Sequence, residues 1–189
     1  MEYVQPIRDT KQIDNMKRYL KEKNLRDWVM FILGINSGLR ISDILKLTVE
    51  DVKDKDRIII REIKTGKTKD FPIADSCKKA LNEYFKSESA PITGILFPSR
   101  KSDKATKEPK AISRQQAYDV INEAARAVGI TDSVGTHTLR KTFGYHAYKS
   151  GAGIEVIQKL LNHSAPSITL RYLGITQDDL DSVYINLNL

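Results

Sequence analysis

The stretch THTLRKTFGYHAYKSGAGIEVIQKLLNHSAPSITLRYL, residues 136–173, decides how the chain is read. Thr136 caps a helix carrying Leu139, Phe143 and Ala147 on one face, and Lys149-Ser150-Gly151 closes it. Ile154, Ile157, Leu160 and Leu161 mark a second helix, and Pro166-Ser167 opens a short third one that holds Arg171 and Tyr172. Two polar clusters ride on these helices. His137 and Arg140 stand one turn apart on a single face. His163, within Leu161-Asn162-His163-Ser164, precedes Tyr172 by nine residues.

Outward from this stretch the pattern stays mostly helical. Asp9-Thr10 opens a helix with Ile13, Met16 and Leu20 on one side. A second, from about Arg26 to Asn36, is apolar nearly all round and is expected to be buried. Ser37-Gly38 breaks it, and a third helix is expected through Ile41, Ile44, Leu45 and Leu47. Arg57-Ile58-Ile59-Ile60-Arg61 and Phe71-Pro72-Ile73, separated by the polar turn Thr65-Gly66-Lys67-Thr68, predict a hairpin or a small three-stranded sheet. Asp75 or Ser76 caps a helix with Ala80, Leu81, Tyr84 and Phe85 inward. Residues 99–114, with six basic side chains and Pro109, read as a basic loop. Ser113-x-x-Gln116 is a capping box for a helix that Gly129 ends. Val183, Ile185, Leu187 and Leu189 alternate with polar residues, which predicts a final extended strand. The fold class is mainly α with a small antiparallel β-sheet (α+β).

Composition narrows the function classes. The chain has 189 residues, 40% hydrophobic and 29% charged, a globular balance. Its longest apolar stretch, Trp28–Ile35, has eight residues against the roughly 20 of a spanning helix. Glu2, Arg8 and Asp9 precede any apolar run, which argues against a secretory signal. The single cysteine, Cys77, excludes an internal disulfide framework and gives no metal cluster. A cytoplasmic protein is expected, with no metal and no cofactor. Net charge is +7. Residues 173–189 hold three acids and no base, which leaves +10 on the first 172. Such a body suits a polyanion, because each Lys or Arg that meets a phosphate releases condensed counterions.

The chemistry-bearing residues fit that partner. Arg40, in Ser37-Gly38-Leu39-Arg40-Ile41-Ser42-Asp43, joins Arg140, His137 and His163 as groups able to hold a phosphodiester. Arginine pairs bidentately with phosphate and stays charged. A tyrosine hydroxyl is a nucleophile, given a proton acceptor or a strongly positive field. Read alone, Arg40 is more readily a helix-end ion pair to Asp43 than a functional group, and His146 matches no motif and reads as structural or surface.

Gly-Leu-Arg-x-x-Asp, a turn lysine, His-x-x-Arg, and Leu-x-x-His-Ser followed by a tyrosine, in this order, resemble the tyrosine recombinase (phage integrase) family over nearly the whole chain. The resemblance implies that family's catalytic-domain fold and its roles. Arg40 and Arg140 are the catalytic arginines, and Asp43 braces the site. Lys64, in preference to Lys67 and Lys69 in the same hairpin, protonates the departing 5′ oxygen. His137 assists proton movement, His163 donates to the phosphate, and Tyr172 is the nucleophile. It further implies metal- and ATP-independent cutting and rejoining of duplex DNA through a 3′-phosphotyrosine, serving integration, excision or inversion. The protein would be a monomer when free and a tetramer on DNA, with an accessory DNA-bending protein as a possible partner and no membrane. Lys67, Lys69, Arg100, Lys101, Lys104, Lys107, Lys110, Arg114 and Lys141 are expected to track the DNA backbone. A silent DNA-binding regulator and a type IB topoisomerase-like enzyme are the alternatives with the same fold.

Residues 1–175 are expected to form the catalytic domain and 176–189 a tail that docks in cis or onto a neighbouring protomer. Many family members carry an N-terminal helical domain that clamps the other face of the duplex. Only 39 residues precede Arg40, so that core-binding domain is not expected here, whether the chain is a short member or a fragment of a longer integrase.

Overall fold

Helix α2 (Leu25–Ser37) is apolar on nearly every side, and the fold is assembled around it. Val29, Met30, Phe31, Ile32 and Leu33 are all buried. Helices α1 (Thr10–Lys23), α5 (Asp75–Phe85) and α7 (Thr136–Lys149) pack against it. The structure, a computed structural model, describes residues 4–102, 109–174, 181 and 184–187. Helix α1 starts where the sequence places it: the Asp9 side chain accepts from Lys11 N, and Ile13, Met16 and Leu20 face inward. The α2–α7 crossing is close because Gly34 has no side chain; a Cβ there would lie 2.5 Å from Leu139 Cδ1.

Gly38 ends α2 in the left-handed conformation, φ 60°, and so points the next residues across the α2 end. Helix α3 (Ile41–Ile44) stops short of the Leu47 that the sequence pattern includes. The reason is a competing backbone demand. Leu47 O accepts from Leu96 N at 2.9 Å and Thr48 pairs with Ile95, so this segment is extended before the one-turn helix α4 (Val49–Val52).

Strands β1 (Arg57–Arg61) and β2 (Thr68–Pro72) form an antiparallel hairpin that sets Ile58 opposite Phe71 and Ile60 opposite Lys69. Among the described residues no third strand joins it. The second sheet is a separate hairpin of β3 (Pro98–Ser102) and β4 (Pro109–Ala111), which corrects the reading of residues 99–114 as a loop. These short strands carry no large apolar side chain among the described residues, so no hydrophobic alternation announces them. What anchors them is the base of the hairpin, where buried Ile112 N donates to buried Phe97 O. Lys104 and Lys107 lie outside the described residues.

Helix α6 (Arg114–Ala127) begins at the Ser113–Gln116 capping box read from the sequence. Helix α7 begins at Thr136, with Gly135 rather than Thr136 at the cap position. Helices α8 (Ile154–Leu160) and α9 (Pro166–Leu173) close on α7 through a small second core of Ile157, Leu161 and Leu173, with Phe143, Ala147 and Tyr172 against it. The N-terminal segment crosses the same region: Ile7 N donates to Thr142 Oγ1 at 2.9 Å, and Arg8 donates to Gly174 O just past α9.

The expected C-terminal strand is not one where it is described. Residues 184–187 are helical, with Tyr184, Ile185 and Leu187 exposed. A lone strand leaves its N–H and C=O groups unpaired, whereas a helix pairs them within itself. No helix among the described residues is long and apolar enough to cross a membrane.

Candidate active site

Four segments of the chain converge at one end of α2. The Gly38 turn delivers Arg40 at the start of α3. The β1–β2 hairpin brings Glu62 and Lys64. Helix α7 contributes His137 and Arg140, and the α8–α9 junction contributes Asn162 and His163 ahead of Tyr172 on α9.

Arg140 is the largest of the fully buried side chains, 2% exposed. It donates through Nη1 to Gly38 O at 2.6 Å and through Nη2 to Leu161 O, so one guanidinium ties the arginine turn to the histidine loop. Burial lowers its pKa, as does the Arg40 charge; Tyr172 and Glu62 oppose the shift.

Arg40 does not pair with Asp43. Its Nη1 donates to Glu62 Oε1 at 2.9 Å, and Arg140 Nη1 lies 3.7 Å from the same oxygen. Glu62 also accepts from Thr65 Oγ1 and Asn162 Nδ2, both at 2.8 Å. Its burial would raise the carboxyl pKa, but those two hydrogen bonds and the two arginine charges outweigh it and hold the group below the ordinary carboxylate value. Glu62 is therefore an anion on the floor of the site, and sequence reasoning missed it. The available signal was its parity: Ile58, Ile60 and Glu62 alternate onto one face at the inner side of the hairpin. Asp43 is buried too, and its Oδ1 accepts from Ile63 N at 2.9 Å, bracing the hairpin end.

Lys64 is exposed and lines a cleft with Arg40, Ser42, Ile63, Arg114 and His137. This cleft brings the hairpin lysine, one arginine and one histidine to a common opening. Lowering of the His137 pKa comes first from desolvation and then from the charges of Arg140, Arg114, Arg40 and Lys141.

His163 and Tyr172 form the deeper half of the site. The His163 ring stands edge-on to Tyr172, centroids 4.9 Å apart, and its Nδ1 lies 3.1 Å from Thr169 Oγ1. Burial, then the charges of Arg140 and Arg40, push its pKa down to about 4, so the ring is neutral at pH 7. Burial pushes the Tyr172 phenol up to about 12, against the pull of Arg140 and Arg40. Its buried Oη has no hydrogen-bond partner among the described residues. The guanidinium of Arg140 is near enough to favour a phenolate, without the alignment of a formed hydrogen bond.

Two lysines assigned to the DNA backbone are inside instead. Lys69 shares an inward face with Phe71, donates to Ser37 O at 2.8 Å and is held by burial at a pKa of about 8. Lys141 is 8% exposed, and its ammonium lies 5.3 Å from the centroid of the Tyr172 ring. Neither presents its charge on an open surface. Lys67, Arg100, Lys110 and Arg114 are exposed, and Lys101 contributes backbone to β3. His146, read as structural or surface, faces Ile7 O through Nε2 at 2.9 Å.

Fold and site together define the class: a tyrosine recombinase catalytic domain. The chain belongs to the phage integrase family, whose model matches residues 8–178. It is 47% identical over 184 residues to the probable integrase/recombinase YoeC of Bacillus subtilis (strain 168), covering 97% of each chain. It is 30% identical to the tyrosine recombinase XerD of Corynebacterium glutamicum over 85% of this chain, but over only 52% of that protein. The chain thus spans nearly all of one curated relative and about half the length of others. Among solved structures, the XerA recombinase superposes with a TM-score of 0.80 at 21% identity, covering all of this chain and 66% of that one. A lambda integrase dimer bound to a core site superposes at 0.69 with 17% identity over 92% of this chain and 49% of that one. At these identities the superpositions establish the fold.

Proposed function

We propose that this chain is a site-specific recombinase that cuts and rejoins duplex DNA with Tyr172 as its nucleophile. The phenol oxygen attacks the scissile phosphorus and passes its proton to His137 as the bond to the 5′ oxygen breaks. Lys64, exposed at the cleft, gives that oxygen a proton. The product is a 3′-phosphotyrosine and a free 5′ hydroxyl. A 5′ hydroxyl from the partner strand then attacks the phosphorus, gives its proton back to Lys64 and reseals the backbone, while the bond to Tyr172 breaks and the phenol recovers its proton from His137. The phosphodiester's bond energy is kept throughout, so the exchange needs neither ATP nor hydrolysis.

The observation that carries this reading is the convergence of Arg40 and Arg140 on one carboxylate oxygen, beside a tyrosine whose phenol is buried and unpaired. Two fixed guanidiniums are preorganised for the charge that grows on the phosphoryl oxygens, the kind of stabilisation for which losing one donor costs roughly 10²–10³ in rate. Neutral His163 is suited to hydrogen-bond the phosphate without adding charge. His137 lines the open cleft, and in this reading it moves the proton. Lys67, Arg100, Lys110 and Arg114 position the duplex by phosphate contact. In this reading the protein works in the cytoplasm, a monomer when free and a tetramer joining two duplexes on DNA, with a bending protein as an accessory partner. Residues 1–175 act as the catalytic unit, and residues 176–189, with Tyr184, Ile185 and Leu187 exposed, serve as a docking tail.

Partner-duplex joining tests the reading. Protein is incubated with a labelled duplex and an unlabelled duplex of different length that carry the same site, recovered from covalent adducts on source DNA. Recombinant strands of hybrid length support the recombinase. Relaxation of supercoils without joining supports the topoisomerase-like alternative, and binding without cleavage the silent regulator.

A further inference from the structure

Glu62 makes more connections within the site than any single step of strand transfer requires. Its Oε1 accepts from Arg40 and faces Arg140, and its Oε2 accepts from Thr65 and Asn162. These four partners belong to four separate segments: the α2–α3 turn, helix α7, the hairpin turn beside Lys64, and the loop beside His163. The Glu62 side chain has no exposed surface, so it does not itself contact DNA.

The Asn162 end of this network has its own backbone signature. Asn162 has φ 49°, in the left-handed region where glycine and asparagine are the tolerated residues. Glycine would satisfy that turn equally well. Asparagine adds an amide that reaches back to Glu62 at 2.8 Å, across 100 residues of sequence. The next residue is His163, and its ring stands against Tyr172.

We propose that Glu62 is a positioning residue: it holds Arg40 and Arg140 in a fixed pair and, through Asn162, ties the segment bearing His163 and Tyr172 to the hairpin bearing Lys64. The role rests on the strand-transfer reading of the site. Glu62 transfers no proton and touches no substrate; it fixes the distance between the group that attacks and the group that protonates the leaving oxygen. The carboxylate also screens two guanidiniums that would otherwise repel each other in a buried setting. Arg40 spends one nitrogen on Glu62, which leaves the rest of its fork for a phosphate.

The test is a double-mutant cycle with binding and cleavage read separately. Single-turnover cleavage is followed on a nicked duplex that carries the sequence recovered from wild-type adducts, and affinity for the same duplex is measured by titration. Glu62→Ala is expected to slow cleavage by about 10²-fold or more, in line with losing a preorganised electrostatic element, while affinity changes by less than about threefold. Glu62→Gln keeps the shape and part of the hydrogen bonding, and is expected to recover about tenfold of that loss. Asn162→Gly, which suits φ 49° without strain, is expected to slow cleavage by about tenfold alone and to have no further effect in the Glu62→Ala background. Folding of each variant is checked by its thermal melt; if Glu62→Ala does not fold, the Glu62→Gln and Asn162→Gly cycle carries the test. Multiplicative losses overturn the proposal, as does cleavage at the wild-type rate in Glu62→Ala or a loss of affinity that matches the loss of rate. Failure of the wild-type protein to form any adduct contradicts the strand-transfer reading itself, a different result from a wild-type adduct that Glu62 substitutions leave unaffected.

Discussion

The ring of His163 meets Tyr172 at 72°, centroids 4.9 Å apart, with its Nδ1 side taken by Thr169. One imidazole edge is thus committed to the protein, and the ring is packed against the tyrosine proposed as the nucleophile. Burial beside two arginines keeps the ring neutral down to about pH 4.

This neutrality is directly measurable. In an NMR titration the His163 ring protons are expected to hold their shifts from pH 8 to about pH 5, with a midpoint near 4. A midpoint near the ordinary 6.5 contradicts the assignment. The linkage sign follows. The folded pKa lies below the unfolded one, so His163 contributes stability that is full above pH 6.5 and is lost as pH falls toward 4. Glu62, also depressed, adds a loss in the same direction below its ordinary carboxylate range. Urea midpoints should therefore fall between pH 7 and pH 4.5, and fall less in His163→Gln.

The two arginines should separate into different phenotypes. Arg140→Ala strands the Gly38 and Leu161 carbonyls and removes a charge facing buried Glu62; breaking a buried ionic arrangement of this kind costs about 3–5 kcal/mol. Arg140→Lys is not expected to restore it, because one ammonium cannot reproduce a planar fork that spans two carbonyls. Arg40, whose side chain is 14% exposed, should cost less in stability but roughly 10²–10³-fold in adduct formation when changed to alanine. Urea melts and adduct rates on the same preparations decide this. Equal stability losses for the two variants would contradict the assigned burial roles.

Gly34→Ala probes the crossing of α7, which bears Arg140, with α2, whose end leads through Gly38 to Arg40. The new methyl would sit 2.5 Å from Leu139 Cδ1, and overpacking of this kind costs about 1–3 kcal/mol. In the Leu139→Ala background the same change should cost less, since the obstructing atoms are gone. Equal costs in both backgrounds, measured by urea melts, would show that the crossing relaxes freely.

Cys77 offers a control for integrity. It is buried, and desolvation raises its thiol to about 11, so a maleimide at pH 7.5 should leave the native protein unlabelled and label it fully in urea. Rapid native labelling would mean that α5 opens away from α2.

Much of this arrangement was legible in the sequence because local rules sufficed. The amphipathic spacing of Ile13, Met16 and Leu20, the all-round apolarity of α2 and the Ser113–Gln116 box each describe a helix by its own residues. The motif arginines and histidines were legible as side-chain types in order. What escaped depends on partners distant in sequence. Glu62 looks like a surface acid until hairpin parity turns it inward onto Arg40 and Asn162. Lys69 and Lys141 read as surface charges for the same reason, and only the packing of β2 and α7 buries them. The β3–β4 hairpin escaped because its short strands carry no large apolar side chain among the described residues. The tail alternates apolar and polar residues as a strand would, yet its described residues 184–187 are helical.

The most direct measurement is the covalent one. Wild-type protein and Tyr172→Phe are each incubated with fragmented source DNA, the complexes are denatured in SDS and digested, and peptides carrying nucleotide mass are sequenced. The expected result is a nucleotide-linked peptide that contains Tyr172 in the wild type, and none in Tyr172→Phe despite undiminished DNA binding. A nucleotide on any other residue, or adducts of equal yield in both proteins, would contradict the assignment of Tyr172 as the nucleophile.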